Sequence, residues 1–354
     1  MPLLTASELA GVYGSSYVPQ ARAAVGLPAL IDEATFWEAE VEAPVLRRNV
    51  GLLKPPAQGG SAELVERSKR WVDMCGAAGE KPTPGGCADP AALRIFERDA
   101  ERTFMTDGHR ASMIGALKQF WPENKDYHQG LGYVYSFLRL TVSEDDALKL
   151  ILRLNRSERH MKGYWYAAPP AYVRDAMVYA RLVKEHFPEV DTLLSQAGVA
   201  AEAYVSKWFV GLCLHVLPFR ALFPFYEAFL TQGSTFLFRF AMSLVQHTQA
   251  KLLACASTDA SGIFAILRLD PSVVPDDDPL HDDIVAGAAK WDLTDARITE
   301  LRAEEQEKLD AKMARVRAAE QQLADEESDD EIVFSDDEED EDPEERLRRL
   351  AEAN

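Results

Sequence analysis

Residues 131–147 read LGYVYSFLRLTVSEDDA. Leu131, Val134, Tyr135 and Leu138 fall at i, i+3, i+4 and i+7, the spacing that lines one face of a helix with 3.6 residues per turn. A second helix is predicted to begin at Ser143, whose hydroxyl can accept from the backbone of the next turn, with Asp146 at the capping-box position three residues on. Upstream, Asp89-Pro90 offers an N-cap followed by proline at the first helical position, and Leu93, Phe96 and Ala100 recur at helical spacing. That pattern predicts a helix from Pro90 to about Asp99. Downstream, helical segments are predicted through Tyr172–Phe187, Ala200–Leu217 and Ser234–Cys255. No segment alternates with period two for long, and no Asn-Gly or Asp-Gly turn separates two alternating runs. The fold class is all-α.

The ends of the chain read differently. Residues 1 to about 90 are divided by Pro55-Pro56, Gly59-Gly60 and Pro82–Gly86 into short amphipathic pieces, which predicts an extended lead-in with local helices. Beyond Asp292, Ile298, Leu301, Leu309, Met313, Val316 and Leu323 mark one face of a long charged helix, able to pack on its own domain or to zip to a partner. From Asp325 to Glu345 there are 15 carboxylates and no Lys or Arg, so most of the net charge of −20 belongs to a tail. With Ile332, Val333 and Phe334 as its apolar cluster, that tail buries too little surface to offset its ordering entropy and is expected to be disordered. Ser328 and Ser335 each precede an acidic residue by three, a pattern favoured by acidophilic kinases. The Ile332–Phe334 cluster is a candidate strand for docking into a basic groove of a partner.

Composition excludes several classes. The chain has 354 residues, 47% apolar, enough for a large core, and its acidity has the wrong sign for a broad nucleic-acid surface. Cys75, Cys87, Cys213 and Cys255 lie far apart with no CxxC spacing, as expected of reduced thiols in a cytoplasmic protein. The apolar stretch Trp208–Leu230 contains Pro218, Arg220, Pro224 and Glu227, so it predicts buried core helices and no integral membrane segment. No GxxxxGK[ST], GxGxxG after a strand, GxSxG or HExxH occurs, so the chain is expected to own no nucleotide or metal site. His281 beside Asp276–Asp278, Asp282 and Asp283 is read as a solvated acidic loop before a helix.

Two stretches carry more specific information: Phe96-Glu97-Arg98-Asp99-Ala100-Glu101-Arg102-Thr103-Phe104, and Tyr127-His128-Gln129-Gly130, with Arg102 and Gln129 27 positions apart. Together and in this order they resemble the fingerprints I-x-x-D-x-x-R and Y-x-Q-G of the TBC-domain family, the GTPase-activating proteins of Rab-type small GTPases. Matching text follows at Ser143–Ala147, Phe187–Val190, Tyr204 with Trp208-Phe209, Leu217-Pro218, and Gly262–Arg302. The likeness covers roughly residues 40–305. Departures stand at Pro224 and Glu227, where the family has Arg and Asp of an R-I-W-D segment, and at Met105, which replaces a Pro. Leu46-Arg47-Arg48 is at most a remnant of the family's L-R-G-x-x-W.

The resemblance implies a lead-in (1–39), a helical TBC domain (40–305), a charged helix continuing from it (306–324) and an acidic disordered tail (325–354). It also implies that Arg102 and Gln129 enter the nucleotide site of a GTP-bound Rab in trans, with GTP and Mg²⁺ carried by that partner. The chain is then an enzyme activator without a cofactor of its own. Asp99 is expected to brace the finger loop, Thr103 to follow the arginine within the motif, Tyr127 to pack beneath Gln129, and Gly130 to allow close backbone approach. An arginine suits the task because its guanidinium stays charged and presents a planar fork of donors. A glutamine can accept from the attacking water with its carbonyl while its NH₂ donates elsewhere. The competing assignments are a surface ion pair of Arg102 with Asp99 or Glu97, and a plain loop role for Gln129. At the level of the whole chain, the alternatives are a TBC-like scaffold or Rab effector that binds without activating, and an adaptor acting through its tail. The expected location is cytoplasmic, with peripheral recruitment to Rab-bearing membranes.

Overall fold

The computed structural model describes Pro28–Asp329, with side chains through Ala318. Its regular elements there are all helical. In chain order they are α1 (Ala34–Glu40), α2 (Ala62–Lys69), α3 (Trp71–Met74), α4 (Pro90–Thr103), α5 (Asp107–Asn124), α6 (Gln129–Thr141), α7 (Glu144–Arg156) and α8 (Pro170–His186). These are followed by α9 (Pro188–Gln196), α10 (Glu202–Phe209), α11 (Phe219–Gln232), α12 (Ser234–Leu253), α13 (Ala260–Leu267), α14 (Leu280–Gly287) and α15 (Asp295–Asp329). The chain divides into two compact units between Glu305 and Gln306.

Local chemistry places the central helices as the sequence predicts. Asp89 caps α4 by accepting from Ala91 N at 2.9 Å, and Ser143 caps α7 by accepting from Asp146 N at 3.1 Å. Helix α6 is buried on all sides from Gly130 to Thr141 except at Tyr133. A helix enclosed nearly all round lies in the middle of its domain. An aromatic cluster locks it to its neighbours: Phe137 of α6 lies 4.6 Å from the ring of Tyr226 on α11, and Tyr226 stacks on Trp71 of α3 at 5.7 Å.

That cluster corrects the reading of residues 1 to 90 as a lead-in, so far as they are described. Leu30, Ile31, Phe36 and Trp71 are buried as deeply as any core residue. Prolines and glycines segment this region without excluding it from the core, because its loops satisfy their own backbone. Asn49 accepts from Leu53 N at 2.7 Å, and Ser61 Oγ accepts from Lys54 N at 2.9 Å. Arg48 is also an anchor. It pairs with Asp276 and donates to the carbonyls of His215 at 3.3 Å and Leu269 at 3.2 Å.

Other boundaries move for identifiable reasons. Helix α4 continues through Arg102 to Thr103, so the arginine of the first motif stands on a helical turn and not in a loop. The segment predicted as helical from Ala200 to Leu217 stops at Phe209, because Leu212 and Cys213 adopt left-handed φ values of +44° and +58°. Apolar spacing persists through these buried turns without reporting the sign of φ. Pro224 sits inside α11, and Glu227 three residues on receives a bidentate pair from Arg67 of α2, 2.6 Å at one arm.

Ile298 and Leu301 of α15 are buried in the first unit, where Arg302 donates to the fully buried Asp175 at 2.9 Å and to Ser234 Oγ at 3.0 Å. Farther along, Met313 and Val316 are exposed. The helix runs to Asp329, five residues into the stretch expected to be disordered from 325. Ser328 lies in its last turn, and its side chain, like that of Leu323, is outside the described ones. Residues 1–27, and residues 330–354 with Ser335 and Ile332–Phe334, lie outside the described residues. The four cysteines are free thiols. No helix among the described residues is long and apolar enough to cross a membrane.

Removal of Trp71 tests whether the N-terminal pieces belong to the core. Trp71→Ala is expected to cost about 3–5 kcal/mol in urea unfolding, the range for truncating a buried tryptophan. An extended lead-in would lose almost nothing.

Candidate functional site

The site grows from the contact between the C-terminal end of α4 and the N-terminal end of α6. Phe96 of α4 meets the Tyr127 ring edge-on at 5.0 Å and the Trp121 ring at 5.9 Å, which brings the two motifs together. One turn on from Phe96, the Asp99 side chain is buried against this aromatic floor. Its Oδ2 accepts from the Tyr127 hydroxyl at 2.9 Å, and its Oδ1 accepts from Gln129 Nε2 at 3.2 Å. The Arg102 guanidinium stands 3.9 Å from Oδ1 and is itself 65% exposed. Burial pushes the Asp99 carboxyl above its usual range, while the Tyr127 hydrogen bond, the Arg102 charge and the Gln129 amide pull the other way. The Tyr127 hydroxyl is held well above its ordinary pKa, first by burial and then by the neighbouring Asp99 carboxylate.

The carboxylate fixes the sense of the Gln129 amide. An ionised Asp accepts only, so the amide must turn its NH₂ toward Asp99. The same Nε2 donates to the Tyr133 hydroxyl at 2.9 Å, and Gln129 Oε1 accepts no hydrogen bond among the described residues. Gln129 is the first residue of α6, and His128 is its N-cap, with Nδ1 accepting from Gly130 N at 2.9 Å. That geometry requires a neutral ring with its proton on Nε2. Burial, and after it the charge of Lys207, lowers the His128 pKa and favours this form.

Gly130 sits in tight space. A Cβ there would lie 3.0 Å from Val210 Cγ1 and 3.1 Å from the Val210 carbonyl oxygen. Gly132 is tighter still, 2.5 Å from the Tyr127 hydroxyl. Tyr127 therefore passes beside the first turn of α6 to reach Asp99, bracing the carboxylate that holds Gln129 in addition to packing near it. Thr103, buried, donates from Oγ1 to the Asp99 carbonyl at 2.6 Å and closes the last turn of α4 under Arg102.

The residues after Arg102 are held from outside the motif. Glu40, at the end of α1 and fully buried, accepts from Met105 N at 2.6 Å, from Thr106 N and Oγ1 at 2.9 Å, and from His109 Nδ1 at 2.7 Å. Burial raises the Glu40 pKa, but the bonds from His109, Met105 and Thr106 outweigh it, so the carboxyl stays below its usual value. This explains the Met where the family pattern has Pro. Met105 supplies an N–H to Glu40 that a proline lacks.

Sequence reasoning singled out Asp99, Arg102, Thr103, Tyr127, Gln129 and Gly130, and the structure brings all six together. It missed Glu40, His128 and Tyr133. The available signal for Tyr133 was its i+4 spacing from Gln129. Glu40 had none, being more than 60 positions from its partners. Among the described residues no group of His, Cys, Asp and Glu is arranged to hold a metal. The stretch read as a solvated acidic loop is only partly one: Asp276 pairs with Arg48 ahead of α14, whereas Asp282 pairs with Arg220 from within α14 and His281, on the same helix, is buried.

With this geometry in place, the likeness to known proteins is specific. The family model of the Rab-GTPase-TBC domain matches residues 88–253, which contain both motifs. That stretch, somewhat under half of the chain, is similar to a TBC domain. Carabin of Mus musculus is 27% identical over 198 residues, 51% of this chain and 44% of that protein. Growth hormone-regulated TBC protein 6 of Caenorhabditis elegans is 25% identical over 243 residues, 66% of this chain and 71% of that one. The chain thus spans less than half the length of the first of these relatives. Among solved structures, the TBC domain of Skywalker/TBC1D24 from Drosophila melanogaster is similar with a TM-score of 0.49 at 15% identity, covering 75% of this chain and 98% of that chain.

Met105→Pro tests the Glu40 clamp. Phe104, at φ −124° and ψ 150°, is already in the extended region a residue before proline prefers, so the substitution chiefly removes the N–H. The expected loss is about 1–3 kcal/mol in chemical denaturation, the range for leaving one side of a buried charged hydrogen bond unmade. A neutral or stabilising result contradicts the clamp.

Proposed function

We propose that this chain is a GTPase-activating protein for a Rab-type small GTPase, acting in trans with Arg102 and Gln129. The observation that carries the reading is the shared carboxylate: one buried Asp99 approaches an exposed arginine and fixes the amide of a glutamine whose carbonyl oxygen is left free. GTP hydrolysis passes through a loose transition state with charge spread over the transferred phosphoryl group and the leaving oxygen, so catalysis is mainly positioning and charge compensation. The Arg102 guanidinium supplies the positive charge. The Gln129 carbonyl accepts a hydrogen bond from the attacking water and holds it in line, while its NH₂ is anchored to the domain. The GTPase brings GTP and Mg²⁺.

Neither departure in the 224–227 segment touches this pair. Glu227 serves the contact with Arg67, and Pro224 lies within α11. In the cell, the activity returns a membrane-bound Rab to its GDP state. The domain then works as a cytoplasmic protein recruited peripherally to Rab-bearing membranes and regulating vesicle traffic.

Single-turnover GTP hydrolysis across a panel of Rab proteins tests the reading. At least one Rab is expected to respond, with the acceleration reduced by about 10³-fold or more in Arg102→Ala, the scale of an arginine finger, and lost as well in Gln129→Ala. Binding to GTP-loaded Rabs without acceleration overturns the proposal in favour of a scaffold or effector.

A further inference from the structure

We infer that Tyr133 is a positioning residue for Gln129, its hydroxyl fixing the glutamine amide together with the Asp99 carboxylate. The inference rests on the reading of Gln129 as the residue that orients water.

Gln129 and Tyr133 are separated by one helical turn, which places them on the same face of α6. They are also the two residues of that helix that are not buried. An otherwise enclosed helix thus opens to the surface at these two side chains. The Asp99 oxygens are occupied by the Tyr127 hydroxyl and one proton of the Gln129 amide, so the second amide proton falls to the Tyr133 hydroxyl at 2.9 Å. Two acceptors on one NH₂ fix the amide plane as well as its sense. With Asp99 alone, the amide keeps its direction but can rotate about that single bond.

Tyr133 is itself held. Its ring meets that of His215 edge-on, with centroids 4.6 Å apart and planes at 88°, and the His215 carbonyl accepts from the buried Arg48 at 3.3 Å. Burial, followed by the charges of Lys207, Arg47 and Arg48, pushes the His215 pKa down to about 4, so the wall behind Tyr133 stays uncharged at neutral pH. The turn around His215, fixed by Arg48, thereby positions a ring whose hydroxyl positions Gln129.

Tyr133→Phe keeps the ring and its contact with His215 and removes only the hydroxyl. With the responding GTPase, kcat is expected to fall about tenfold, the scale of one neutral hydrogen bond, with KM within about twofold. A second readout uses the free chain: the side-chain NH₂ resonances of Gln129, assigned by their loss in Gln129→Ala, are expected to shift and exchange faster with water in Tyr133→Phe. Unchanged amide resonances overturn the inference, as does a kcat for Tyr133→Phe equal to that of the wild type. Because the amide is observed without any GTPase, the resonance result holds even where the proposed activity fails, and that failure is seen separately as a wild-type chain that accelerates no Rab.

Discussion

A single buried carboxylate holds the site together. Asp99 is removed from water, which costs free energy unless donors converge on it. They come from Tyr127, Gln129 and, at longer range, Arg102. Because these donors lie on both motifs, the requirement to satisfy one anion joins the end of α4 to the start of α6. Exposure is divided unequally as a result. The carboxylate and the Tyr127 ring are enclosed, whereas the guanidinium reaches into solvent, where a partner can meet it.

The rest of the domain keeps those two helix ends in place. Helix α6 is buried along nearly its whole length, and its Phe137 packs against the rings of Trp71 and Tyr226, so its first turn has a rigid base. Close approach of Gly130 to Val210 sets its depth. On the other side, Glu40 fastens the residues that follow Arg102 from a helix far away in sequence. The glutamine is thus held within a buried helix, and the arginine on a helical turn whose continuation is clamped. A site built on helices loses less precision to motion than one built on loops.

Much of this was legible in the residues, and the remainder was hidden for physical reasons. The all-helical class followed from spacing such as Leu131, Val134, Tyr135 and Leu138, and the caps at Asp89 and Ser143 formed as their side chains dictate. The two motifs placed Asp99, Arg102, Tyr127 and Gln129 in one site. The N-terminal pieces misled because proline and glycine report local breaks and say nothing about where Phe36 and Trp71 are buried. The end of α10 misled because apolar spacing persists through the left-handed turn at Leu212 and Cys213. Glu40 and Arg48 act across long sequence separations, and such pairings leave no local pattern. Tyr133 lay within one helical turn of Gln129, yet an aromatic at helical spacing reads first as core.

The central claim is that the Asp99 charge orders Arg102 and Gln129, the pair proposed to act on GTP. Asp99→Asn tests it most directly, since the side chain keeps its shape while losing its charge and its acceptor-only character. With the responding GTPase at saturation, the account predicts that kcat falls about tenfold to a hundredfold, the range for a charged hydrogen bond, while the half-saturating concentration and the melting temperature change little. A variant that hydrolyses GTP at the wild-type rate, in an assay where Arg102→Ala has lost activity, would contradict it.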